Sequence, residues 1–230
     1  MDLRTALGNI HRDPDWWRKV LTGGALTLTV FGAPWSAGLA VESLENVRRG
    51  YPSPLPPSVD FGGRYVIGLF ALIIDFLFFA IPLFVLGMLF ICGIGSMAFS
   101  QSGQVSPLIS GGAAAVIALF LLAVFASSIA PAGRLIYSAE GDIEQALSMA
   151  TVRRAFDPQL RGAYARARLR SLVGYIPFTL FLAILWLTSG LVFPGSWLLT
   201  LILLWLACSA LTYAHLVVAQ LYGDAERASW

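Results

Sequence analysis

Two side chains could do chemistry inside the apolar part of this sequence: Asp75 and His215. Asp75 is the only Asp, Glu, Lys or Arg between residues 65 and 133, about ten residues in, or roughly 15 Å along a helix rising 1.5 Å per residue. A carboxylate at that depth is costly, so it marks either a working site or a buried polar pair. Removal from water favours its neutral form. Three roles fit it: a hydrogen bond to a neighbouring helix, proton or ion handling, or contact with a partner. His215 lies within the last apolar stretch. A neutral imidazole there could bond Asp75, sit at the membrane interface, or ligate a haem or chlorophyll axially. The other histidine, His11, lies outside the apolar stretches, so no bis-histidine site is expected.

Nothing else reads as a reaction centre. The sequence has no glycine-rich phosphate loop, nucleophile elbow or zinc-binding helix motif. Ser127-Ser128 has no base within sequence reach. Cys92 and Cys208 both fall in apolar stretches, so neither a disulfide nor a metal cluster is expected. No catalytic residue and no cofactor is assigned, and the expectation is a protein that is not an enzyme.

The elements that carry these residues follow from charge spacing. Of 230 residues 57% are apolar and 12% charged, against roughly 45–50% and about 25% in a soluble domain, and the mean hydropathy is +0.75. This composition excludes an ordinary soluble fold, and a net charge of +2 with scattered basic residues argues against nucleic acid. Residues 20–41 and 171–223 carry no Asp, Glu, Lys or Arg, and 65–133 carry only Asp75. A spanning helix needs about 20 apolar residues. The spacing therefore predicts an all-α integral membrane protein forming a single membrane domain over 1–230. Helices are expected near 65–99, 112–133, 172–193 and 196–220. With 20–41 this makes about five apolar segments, or six if Pro82 and Gly87, Gly93 and Gly95 split the second.

The first segment is interrupted by Gly23-Gly24 and by Gly32-Ala33-Pro34, so it reads as broken or re-entrant, with the backbone satisfied by protein or water. A re-entrant segment places all 15 Lys and Arg on one side of the membrane, which makes the basic loops cytoplasmic under the positive-inside rule. Asp13-Pro14 is expected to open an N-terminal helix, Asp142 with Gln145 to start another over 143–156, and Asp157-Pro158 a third. These helices carry Trp16, Trp17, Arg18 and Lys19, and Arg161, Arg166, Arg168 and Arg170. Basic residues beside Trp or Tyr suit the headgroup layer and contact with anionic lipids. Gly111 and Gly112 open one span and Gly93 and Gly95 lie in another, as small residues do where helices approach closely or meet a further membrane subunit. A weak internal repeat relates 42–142 to 143–224. It pairs Val47-Arg48-Arg49 with Val152-Arg153-Arg154 and Ile81-Pro82 with Ile176-Pro177.

The series Asp13-Pro14-Asp15-Trp16-Trp17-Arg18-Lys19, Gly23-Gly24, Pro34, Gly38, Leu55-Pro56, Asp60 and Gly63 resembles a bacterial and archaeal polytopic family. That family is known as domain of unknown function four thousand and thirteen. The resemblance covers residues 13–70. It implies a helical integral membrane protein and carries over no catalytic residue. Taken together, the sequence leads to an accessory, scaffold or assembly subunit of a larger complex in the inner membrane. A small transporter or lipid-handling protein using Asp75 is the alternative, and a pigment- or haem-associated subunit through His215 a second.

Overall fold

The computed structural model describes residues 2–53, 55–57, 59–98, 116, 128–188 and 196–227, with side chains in the stretch 80–98 described at Phe84 and Met88. Every regular element among them is a helix. In chain order they are α1 (Leu3–His11), α2 (Trp16–Leu28), α3 (Ala33–Arg48), α4 (Phe61–Ala98), α5 (Ile129–Glu140), α6 (Ile143–Leu147), α7 (Met149–Ala155), α8 (Arg161–Gly174), α9 (Ile176–Thr188) and α10 (Ser196–Arg227). Among the described residues three stretches are long and apolar enough to cross a membrane: Phe61–Phe79, Arg161–Thr188 and Ser196–Arg227. The chain is an all-helical membrane protein.

The first apolar segment is broken, and the break lies at Thr29–Gly32 rather than at the glycine pair. Val30 sits at φ 65°, a left-handed conformation that β-branched residues rarely adopt. The Thr29 hydroxyl donates to the Leu26 carbonyl at 2.7 Å and accepts from the Gly32 N–H at 3.2 Å, so the turn bonds itself. A Cβ at Gly32 would stand 2.6 Å from the Leu26 carbonyl oxygen, which requires glycine there. Pro34 then falls in the first turn of α3, where its missing N–H costs nothing. Gly23 and Gly24 stay helical and press α2 against α10. A Cβ on Gly24 would fall 2.0 Å from the Ser209 hydroxyl oxygen.

Other boundaries move for local reasons. The N-terminal polar stretch forms α1, with Asp2 accepting the Leu3 N–H, and α2 begins at Trp16 rather than behind Asp13. Asp60 caps α4 by accepting the Gly63 N–H at 2.9 Å. Helix α4 runs 38 residues, through Pro82 without interruption, so the split into a sixth segment at that proline does not occur. Most of the helix expected near 112–133 lies outside the described residues. Its end is replaced by Ser128 in the left-handed region and by α5, which continues to Gly141 at φ 70°. The helix expected over 143–156 is cut at Ser148, whose extended backbone ends α6 and whose hydroxyl accepts the Ala150 N–H to cap α7.

The core gathers where α1, α2, α3, α5, α8 and the second half of α10 meet, around Leu39, Leu44, Leu135, Tyr164, Leu216, Val217 and Tyr222. A second cluster joins α3, α4, α5 and α6 through Val41, Ala71, Ile74, Ile136 and Ala146. Beyond this helical base, α9 and the first half of α10 form a hairpin with little buried surface; no residue of α9 is buried. The expected hydropathic span 196–220 is therefore two things: a lipid-type half and a protein-core half that extends to Arg227.

Candidate functional site

Asp75 pairs with a residue just outside the apolar block that contains it. Arg134 Nε donates to Asp75 Oδ1 at 3.0 Å, and its Nη2 donates to the other carboxylate oxygen, a side-on two-point ion pair between α4 and α5. The approach of α5 to α4 is close: a Cβ on Gly133 would lie 2.9 Å from an Ile74 methyl. A carboxylate in such surroundings is tolerated when a guanidinium answers it with two hydrogen bonds.

The pair lines a cavity of about 160 Å³ at the meeting of five helices. Asp75 and Phe79 come from α4, Ala130, Pro131 and Arg134 from α5, Ala40, Val41 and Leu44 from α3, Arg168 from α8, and His215, Val218, Ala219 and Tyr222 from α10, with Tyr175 at the α8–α9 joint. His215 faces Tyr175, their rings edge-on with centroids 6.4 Å apart. Its surroundings bring it within electrostatic reach of Arg134. The guanidinium of Arg168 lies over the Tyr222 ring at 5.4 Å. Tyr222 and Ser128 share a 2.6 Å hydrogen bond between their hydroxyls. The cavity is smaller than the roughly 300–1,000 Å³ of ligand and cofactor pockets.

The basic residues assigned to headgroups divide. Arg18, Arg161 and Arg166 are exposed, and Arg18 lies 5.2 Å over the ring of the half-exposed Trp17. Arg170 is half-buried, and Trp16 packs against His11 and Tyr213. Lys19 and Arg168 turn inward instead. Lys19 is 7% exposed because its ammonium donates to Asp13 Oδ2 at 2.5 Å. Arg168 is 6% exposed because it shares one face of α8 with Tyr164, Ala167, Ser171 and Gly174, all buried. That i, i+3, i+4 stripe was the available signal for an inward arginine. The side chains at Gly93 and Gly95 and the whole of Gly111 and Gly112 lie outside the described residues. Close helix approach is seen at glycines that the sequence left unassigned: a Cβ on Gly68 would be 1.6 Å from the Pro34 carbonyl oxygen, and one on Gly38 would be 2.0 Å from that of Arg64.

Two further polar networks hold the base together. Buried Arg64 donates from Nε to Glu42 at 3.0 Å and from Nη2 to the Pro57 carbonyl at 2.5 Å, under the Trp35 ring. Fully buried Glu226 accepts from Arg154 Nε at 2.7 Å and from the Tyr164 hydroxyl, and this carboxylate raises the Arg154 pKa further. The residues that carried the family resemblance fall on this frame. Asp13 holds Lys19, Gly23, Gly24 and Gly38 are packing sites, Leu55 is in the core, and Asp60 with Gly63 caps α4.

Comparison with known proteins gives a family described as protein of unknown function (DUF4013), matched over residues 21–188. The match extends well past residue 70 and includes Asp75, Arg134, Arg168 and Tyr175, while His215 and Tyr222 lie beyond it. No curated protein and no solved structure matches the chain.

Proposed function

This chain belongs to the DUF4013 family of proteins of unknown function, and from that premise we propose a lipid-handling membrane protein without enzymatic activity, whose working site is the cavity at Asp75. The observation that carries the reading is the Asp75–Arg134 pair on a cavity wall otherwise largely apolar. An ionisable pair at that place is expensive to maintain, and internal packing alone is served more cheaply by apolar side chains.

The protein sits in the inner membrane of a bacterial or archaeal cell with its basic segments cytoplasmic. It has five apolar segments, the first a hairpin that enters and leaves on one face. Helices α2 and α3, of 13 and 16 residues, reach about 20 and 24 Å at 1.5 Å per residue, short of the roughly 30 Å hydrocarbon core. The exposed Val30 and Phe31 at their joint suit a tip buried in lipid.

The test is purification of the full chain from native membranes in mild detergent, followed by mass spectrometry of bound lipid. Stoichiometric lipid is expected, and Ala219→Phe, which fills the cavity, displaces it. Lipid retained equally by the filled variant overturns the reading.

A second reading, an accessory or scaffold subunit of a larger membrane complex, is favoured by α9, whose Leu180, Trp186 and Leu187 face away from the chain. It predicts stoichiometric co-migrating polypeptides, lost when Gly93, Gly95 and Gly112 are all replaced by Leu.

A further inference from the structure

We propose that the cavity binds the phosphate of an anionic ligand, with Arg168 and Arg134 as its cationic grip and Asp75 as a built-in competitor for Arg134. The inference rests on the cavity being the working site and names what enters it.

Two guanidiniums and one carboxylate lie on the wall with His215, Tyr175 and Tyr222, set among Ala40, Val41, Leu44, Phe79 and Val218. In apolar surroundings cations act on an entering anion with less dielectric screening than at a surface. Tyr175, Arg168, Arg134 and Asp75 line the same cavity, which places all three charges around one space. Guanidinium forks match the paired oxygens of carboxylate and phosphate. A carboxylate is already present, since Asp75 occupies Arg134 at Nε and Nη2. A ligand that displaces it must reach Arg168 as well as Arg134, which a tetrahedral phosphate group can do, singly charged as a lipid diester or more highly charged as the free ion.

Size and depth narrow the class further. About 160 Å³ corresponds to roughly five waters at about 30 Å³ each, enough for a phosphate group and too little for a lipid's acyl chains. Arg168 and Arg170 are the last charges of α8 before the uncharged stretch 171–223, and Tyr175 follows at the helix joint, the order expected at headgroup level. A lipid phosphate can enter there while its chains stay outside. Free phosphate satisfies the same chemistry.

The experiment uses the full chain in detergent, stripped of lipid, with three probes: short-chain phosphatidylglycerol, short-chain phosphatidylcholine and inorganic phosphate. Expected is one phosphatidylglycerol per chain, at least tenfold tighter than phosphatidylcholine. Arg168→Gln weakens it about tenfold to a hundredfold, the range for losing a charge-assisted bond, and Arg168→Lys restores part. Asp75→Asn tightens binding, because the competing carboxylate is gone. Inorganic phosphate that displaces the lipid at comparable concentration makes the free ion the ligand. Failure to displace it makes the headgroup the ligand. Equal binding of both lipids, or binding indifferent to Arg168→Gln in a variant with unchanged melting temperature, overturns the proposal. So does weaker binding in Asp75→Asn with melting unchanged. Lipid that is displaced by Ala219→Phe yet indifferent to these charges would leave the lipid-handling reading standing and remove only the phosphate site.

Discussion

Asp75 and Arg134 meet side-on across 59 positions of sequence, with Arg134 Nε 3.0 Å from one carboxylate oxygen of Asp75 and its Nη2 bonded to the other. The pair ties α4 to α5. Removing either partner alone leaves the other charged in a poorly hydrated place, which costs about 3–5 kcal/mol when such a pair is fully buried. The pair keeps some exposure, so about 2–3 kcal/mol is expected for Asp75→Ala or Arg134→Ala. The double replacement by Leu should cost less than either single change, because no lone charge remains. Melting in detergent over the four-member cycle measures this. Additive losses would mean that the two side chains do not interact in solution.

That relationship also marks the limit of what the sequence could tell. Asp75 was legible as an anomaly because one charge in a long apolar run stands out. Its partner was not, because Arg134 begins the next polar segment and reads as an ordinary loop cation until α5 is seen to continue through it. The same holds for Lys19 and Arg168, basic residues in rows of basic residues, whose inward turn depends on which helix face meets the core. The helix start at Asp142 was readable because capping is local. The start expected at Asp157-Pro158 was not, because Asp157 accepts the Gln159 N–H within a turn and α8 begins only at Arg161, behind Leu160 and without a side-chain cap. The continuity of α4 through Pro82 was not, since proline's effect depends on the tertiary surroundings.

Backbone contact between α3 and α4 gives a sharper mutational contrast. Gly68→Ala sets a methyl 1.6 Å from the Pro34 carbonyl oxygen, and Gly38→Ala sets one 2.0 Å from that of Arg64. Neither neighbour is a flexible side-chain end, so the helices must part. Each change is expected to cost about 1–3 kcal/mol, the usual range for overpacking. Gly8, in the middle of α1, has nothing within 4 Å of its would-be Cβ. Gly8→Ala should stabilise by about 0.5–1 kcal/mol through helix propensity alone. A melting series showing all three glycines equally tolerant would contradict the close approach of α3 and α4.

Acid sensitivity follows from the end of α3. Burial acts to raise the Glu45 carboxyl pKa, but hydrogen bonds and charge from Arg48 and Arg49 outweigh it and hold it below the usual 4.5. A carboxylate whose folded pKa is depressed contributes stability above its unfolded pKa, and loses it as pH falls through the folded value. The melting temperature should therefore be flat in this contribution from neutral pH down to about 4.5 and fall below it. Glu45→Gln should remove part of that acid slope while lowering stability at neutral pH. An unchanged slope in the variant would show that other carboxylates set it.

The turn between α2 and α3 makes the topology testable. Val30 and Phe31 are 75% and 83% exposed at the joint of two helices that are otherwise well packed. An apolar pair presented this openly is unfavourable in water and favourable in acyl chains. Because α2 and α3 are each too short to cross, the tip is expected to enter the hydrocarbon and return, leaving both helix ends at one face. A tryptophan introduced as Phe31→Trp, in a background lacking the native tryptophans nearby, should then be quenched strongly by brominated acyl chains. Phe31→Asp should destabilise the protein in bilayers more than in detergent. Cysteines placed at position 8 and at 102–104 should label from opposite sides of sealed vesicles. Labelling of both from the same side would mean that the first segment crosses the membrane, with its break at Thr29–Gly32 lying inside a span rather than at the tip of a hairpin.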